Sequence, residues 1–257
     1  MAVLFCLRLG LGLIACLLLL SPQQVNPRFY RTHFLTAVGL AAGALVLSWG
    51  TPSPWLAVLL IAAGLGALCG SVVWSLENAP GGIAAIVVTT LLLAGALVYF
   101  EHSLQDIHET PFREEPAFGW RLAGDFASAA LLGTATTAML MGHSYLIAPA
   151  MSLTPLMRLL GALAIATVVR MGIGATGLGL WSHATGGGFT VGDAIVWLPV
   201  RWALGFIGPL VLGWMAWRAA RIRSTQSATG ILYVVVIFSF LGELTGQLLL
   251  ATTGYVL

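Results

Sequence analysis

Eight apolar stretches, each about long enough to cross a bilayer, constrain this chain more than any other feature. A helix needs about 20 apolar residues to span the hydrocarbon core, where the backbone must satisfy its own hydrogen bonds. The stretches cover approximately 2–20, 33–50, 54–75, 82–100, 122–147, 156–180, 194–217 and 228–254. Turn-forming residues separate several of them: Ser21-Pro22, Thr51-Pro52-Ser53-Pro54, Asn78-Ala79-Pro80-Gly81-Gly82 and Gly186-Gly187-Gly188. No stretch alternates apolar and polar at period two, which excludes a transmembrane β-barrel. The expected fold is all-α: a polytopic integral membrane protein, a bundle of about eight transmembrane helices in contact with the lipid bilayer.

Composition agrees. The 257 residues are 59% hydrophobic and 8% charged, against about 25% charged in soluble domains. That balance excludes a soluble globular enzyme and a disordered chain. The net charge is only +2 and no basic stripe exists, so nucleic acid is not an expected partner. All eleven basic residues are arginine, which rules out Schiff-base chemistry on lysine. Cys6, Cys16 and Cys69 lie in apolar runs without ligand spacing, so no metal site is expected. Leu13-Ile14-Ala15-Cys16 fits a lipoprotein cleavage box, but four leucines follow where a mature lipoprotein turns polar. Residues 1–20 are therefore expected to be a retained first helix.

Arginine placement orients the bundle. Arg28, Arg31, Arg158, Arg218, Arg221 and Arg223 fall on one side; Arg113 and Arg121 fall on the other, with Arg8 if it snorkels outward. The first side is expected to be cytoplasmic and both termini outside, in a bacterial inner membrane. Residues 1–257 form one transmembrane domain: an apolar four-helix half over 1–100, an outer-side acidic loop over 101–120, and a half over 121–257 that carries the buried polar residues. The loop holds Glu101, Asp106, Glu109, Glu114 and Glu115, with His102 and His108 at a spacing that matches no standard metal motif. Its expected role, with His183 nearby, is to dock a partner. Trp49, Trp55, Trp181 and Trp217 lie near span ends, as an aromatic belt requires.

Intramembrane ionisable groups are the candidate site residues, because each costs at least about 2.5–3.5 kcal/mol at the bilayer centre. At about 1.5 Å of rise per residue, Arg170, Arg201 and Glu243 lie at one level, roughly 20 Å from the cytoplasmic side of a ~30 Å core. Gln247 is one turn further out than Glu243 on the same helix face. A structural ion pair is one expectation. A ligand or proton pathway is the other, since two arginines against one carboxylate leave positive charge for a quinone carbonyl, an anion or a water chain. His33 and His143 fall at matching depth near the inner side and are candidate axial ligands of a haem b. The run Gly172-Ile173-Gly174-Ala175-Thr176-Gly177 lies within a span and serves close packing, not a dinucleotide. Ser224-Thr225-Gln226-Ser227 is expected to cap the last helix.

In span count, length and an outward-displaced polar cluster, the chain resembles the eight-helix membrane anchors of polysulfide-reductase-type complexes. The likeness is one of architecture and carries no residue roles. It implies a membrane subunit of an electron-transfer complex of respiratory type, interacting with quinone and docking a periplasmic redox partner among the other subunits. A small-solute or anion permease, a purely structural subunit and a haem b-binding subunit are the alternatives.

Overall fold

The computed structural model describes residues 1–49, 53–76, 79–107, 118–148, 151–184 and 194–257. They are helical almost throughout. The elements are α1 (Ala2–Cys16, continued by a 3-10 turn Leu17–Leu19), α2 (Pro27–Leu47), α3 (Pro54–Val73), α4 (Gly82–Ile107), α5 (Phe118–Ile147), α6 (Thr154–Ala184), α7 (Ala194–Trp202), a π-turn Ala203–Ile207, α8 (Gly208–Arg221) and α9 (Thr225–Thr253). Seven segments are long and apolar enough to cross a membrane, with α7, the π-turn and α8 counted as one. The eighth expected span is α5, whose 30 residues are rich in Ser, Thr and Gly. It packs mainly against α1, α6 and α9, while Phe126, Leu146 and Ile147 stay exposed.

Local signals set the helix starts. Pro27 and Pro54 occupy the first turns of α2 and α3, where a missing N–H costs nothing. The Asn26 side chain accepts the Arg28 N–H at 2.9 Å and so caps α2. Ser224 holds the N-cap position of α9, but its hydroxyl bonds the Ser227 hydroxyl at 3.0 Å and no backbone N–H. The expected side-chain cap is therefore absent there.

The helices form two groups, α1–α4 and α5–α9, joined mainly where α1 lies against α5. The first helix is the bundle's centre: α1 packs on α2, α4 and α5. Glycine makes this possible. A Cβ at Gly12 would run into the Ala129 carbonyl, and one at Gly133 into the Gly12 backbone. The two helix backbones touch, as small residues allow in membrane bundles. The glycines of 172–177 do something other than pack helices. Gly174 and Gly177 face Leu257 and Val256, so the segment after α9 folds back between α5 and α6. Gly254 makes that turn in the left-handed region at φ 80°, donating its N–H to Leu250 O.

Alternating chain direction puts Met1, the ends of α4, α6 and α9 and the starts of α5 and α7 on one face, called here the Met1 face. Trp49 and Trp55, also at this face, are 86% and 66% exposed. Trp181 departs from the expected belt: it is buried with Leu249 and Leu257. Of the cysteines, Cys16 is buried and Cys69 faces outward from the bundle.

The α1–α5 contact yields a test. Gly133→Val should lower stability by about 3 kcal/mol or more, the upper range of overpacking penalties. Gly39→Val, at a position with nothing within 4 Å, should be near neutral. Thermal unfolding in detergent compares the two.

Candidate functional site

Five helices send ionisable side chains to one buried point. Arg170 from α6, Arg201 from α7 and Glu243 from α9 meet there as their matched depths require, and Arg8 from α1 and Asp125 from α5 join them. Glu243 Oε1 accepts from Arg201 Nη2 at 3.0 Å and lies 3.4 Å from Arg170 Nε. Glu243 Oε2 accepts from the Ser128 hydroxyl at 2.6 Å and lies 3.9 Å from Arg8 Nη1. Arg170 Nε also donates to Ser128 Oγ at 2.9 Å. Arg8 Nη2 pairs with Asp125 Oδ1. The main-chain oxygen of Leu257 accepts from Arg201 Nε at 3.2 Å and from Arg170 Nη2 at 3.5 Å. Gln247, with its amide turned to suit both neighbours, donates to Met1 O at 2.9 Å and accepts from Arg8 Nη1 at 3.3 Å.

Local backbone devices aim these groups. Arg201 lies at the end of α7, two residues after Pro199 and just before the π-turn. A π-turn widens the helix by one residue and is frequent at functional sites. Here it brings Gly205 against Gly242: a Cβ on Gly242 would strike the Gly205 backbone, and one on Gly205 would strike Arg201 Nη1. That contact lets the fully buried Arg201 reach across to Glu243. The Phe206 ring lies beneath the same guanidinium, 4.3 Å from Cζ to centroid. Arginine suits this place: its charge is permanent and its fork engages several oxygens at once.

The cluster is only partly satisfied. Arg8 Nε, Asp125 Oδ2, Arg170 Nη1 and Arg201 Nη1 are buried without a hydrogen-bond partner among the described residues. Buried polar atoms are normally paired, and a half-satisfied network is costly. A site of this kind has room in its bonding for water or a ligand.

Sequence depth brings Arg170, Arg201, Glu243 and Gln247 together correctly. Arg8 is the correction. It does not snorkel outward but is buried in the cluster, so the polar site is not confined to the second half of the chain. Asp125 and Ser128 went unnoticed, although depth could have found Asp125. Arg8 is six residues past Ala2, while Asp125 and Arg201 are each seven past Phe118 and Ala194. All three lie about 10 Å inside the Met1 face.

His33 and His143 line one cavity of about 340 Å³ at the opposite face, between the start of α2 and the end of α5. His33 is buried and His143 exposed. The His33 Nδ1 lies 2.9 Å from Phe29 O, and its Nε2 has no partner. At the Met1 face, His102 sets its ring edge-on to Phe118 at 6.0 Å. His108 and residues 109–117 of the acidic loop lie outside the described residues. Among the described residues, no three His, Cys, Asp or Glu groups converge on a metal position.

Glu243→Ala should cost about 3–5 kcal/mol, the range for stranding a buried charge. Glu243→Gln keeps an acceptor for Arg201 and should cost less. Chemical denaturation in mild detergent ranks the two variants against wild type; equal stability of all three would contradict a buried ion pair.

Comparison with known proteins adds no name to this geometry: no family model matches the chain, and no curated protein or solved structure is detectably similar to it.

Proposed function

We propose that the protein is the integral membrane subunit of a respiratory-type electron-transfer complex, and that its buried arginine–carboxylate cluster receives the head group of a quinone. One observation carries this choice over a permease or a purely structural subunit. An apolar groove of about 500 Å³ opens between α1, α4, α5 and α6, lined by sequence neighbours of Ser128 and Arg170 and by no side chain of the cluster itself. Leu11 and Gly12 line it about one turn from Arg8. Ala127 lines it beside Ser128, and Val169 beside Arg170. An isoprenoid tail suits such a groove, and ligand sites of this kind are mostly apolar with a few polar groups that fix orientation. The guanidinium hydrogens lacking partners on Arg8 and Arg170 supply donors for quinone carbonyl oxygens. Glu243, held by Ser128 and the arginines, supplies a carboxylate for the proton that quinone chemistry moves. In this reading the protein sits in a bacterial inner membrane with both termini outside and docks a periplasmic redox partner on that side.

A photoreactive quinone analogue tests the assignment on the reconstituted protein. The adduct should map to α1, α5 or α6 peptides of the groove, compete with a short-tail quinone and fall at least tenfold in Ala130→Phe, which fills the groove. Labelling that ignores competitor, or maps elsewhere, overturns it.

A bound haem b is the second candidate, favoured by the cavity that His33 and His143 share. With the proton on Nδ1 held by Phe29 O, the free Nε2 of His33 is the nitrogen that ligates metal. Protein purified from haem-replete cells should carry a Soret band that His33→Ala abolishes. No band in the wild type ends this candidate.

A further inference from the structure

A third buried carboxylate lies between the cluster and the Met1 face. Glu101, near the end of α4, is fully buried. Its Oε2 is 3.1 Å from Arg121 Nη2, at the start of α5. Asp125 is one turn along α5 from Arg121, on the same helix face. The Asp125 carboxyl is also within electrostatic and hydrogen-bonding reach of Glu101. Asp125 Oδ1 is occupied by Arg8, whereas Asp125 Oδ2 and both Glu101 oxygens receive no hydrogen bond.

Two carboxylates are acceptors only, so facing each other in a buried place they repel and leave their oxygens unsatisfied. One shared proton removes both faults. It turns one carboxyl into a donor and leaves a single negative charge between Arg121 and Arg8. Among the described residues, those two arginines are the cations that face the pair, one from α5 and one from α1. The remaining major neighbour of α4 is α3, which brings no Asp, Glu, His or Arg. His102, next to Glu101, turns to Phe118.

We propose that Glu101 and Asp125 hold one proton between them and form the route by which the buried cluster exchanges protons with water at the Met1 face. Arg121, 12% exposed, marks the aqueous end. Arg8, bonded to Asp125 and 3.9 Å from Glu243, marks the inner end. In the step, a carboxyl O–H in the pair breaks and its proton passes to water beside Arg121. A proton from the Glu243 side then restores the pair through water. No electrons move, and the guanidiniums hold the carboxylates without giving up their own protons. The route rests on the quinone assignment only for the source of the protons.

Infrared difference spectra of the full-length protein in lipid vesicles, between acidic and alkaline buffer, read the shared proton as a carboxyl C=O band. The band should be present in wild type, lost in Glu101→Gln and in Asp125→Asn, and retained in Glu243→Gln. Its absence from wild type, or its survival in Glu101→Gln, overturns the proposal. Dicyclohexylcarbodiimide gives a readout on wild type alone, free of any folding defect in the variants. This apolar reagent modifies protonated buried carboxyls, so peptide mass spectrometry should find the adduct on Glu101 or Asp125; an adduct on neither sinks the idea. Neither readout needs quinone. Failed quinone labelling therefore leaves the shared proton standing, and a missing band leaves the quinone site standing.

Discussion

The Glu243 carboxylate is the point on which the bundle is built. A single ionised acid at membrane depth is intolerable alone, and three guanidiniums close around it within 3.0–3.9 Å. Each arrives from a different helix, so the requirement to meet them dictates the packing. The first helix has to lie inside the bundle, because Arg8 must reach Asp125 and Glu243. The seventh segment has to open into a π-turn, because Arg201 must reach across to α9. The segment after α9 folds back under Gly254 and lends the Leu257 oxygen to Arg170 and Arg201.

The cost of this arrangement shows in the glycines. Gly12 against Gly133 and Gly205 against Gly242 are contacts between backbones, with no side chain to pack between them. Van der Waals contact at such crossings is what binds helices in lipid, where apolar surface alone gives no preference for protein over acyl chain. The close approaches hold the arginine-bearing helices near enough for ion pairing, and the ion pairs in turn fix helix register. A buried pair is weak evidence for stability but a plausible source of specificity. Here the network also leaves hydrogen-bonding capacity on Arg8, Arg170 and Arg201 that no described residue takes up.

The groove is lined by Ala127 and Val169, the chain neighbours of Ser128 and Arg170, and the Glu101–Arg121 ion pair joins the end of α4 to the start of α5 at the Met1 face. In the function proposed above, the tail of an amphipathic redox carrier takes the first and its protons take the second. Both features adjoin α5, the long helix that falls short of the hydropathy of a membrane span.

Periodicity and hydropathy determined the all-α membrane fold by themselves, because the bilayer leaves a long apolar segment little choice but helix. Depth counting also placed Arg170, Arg201 and Glu243 on one level, with Gln247 one turn further out, since helical rise is constant. Which helix touches which is another matter: depth is one coordinate, and rotation and lateral order are the others. Arg8 illustrates the difference. Six residues from the start of α1, it reads as a side chain free to snorkel to the headgroups; only the burial of α1 against α5 turns it inward to Asp125. The same holds for Trp181, placed by depth in an aromatic belt and by packing in the core, and for Gly174 and Gly177, whose partner is the folded-back tail. The proposed pairing of Glu101 with Asp125 likewise needs α4 and α5 to bring two separate segments side by side. Lateral packing is set by the best mutual satisfaction of all the buried charges together, a property of the assembled bundle that no single segment contains.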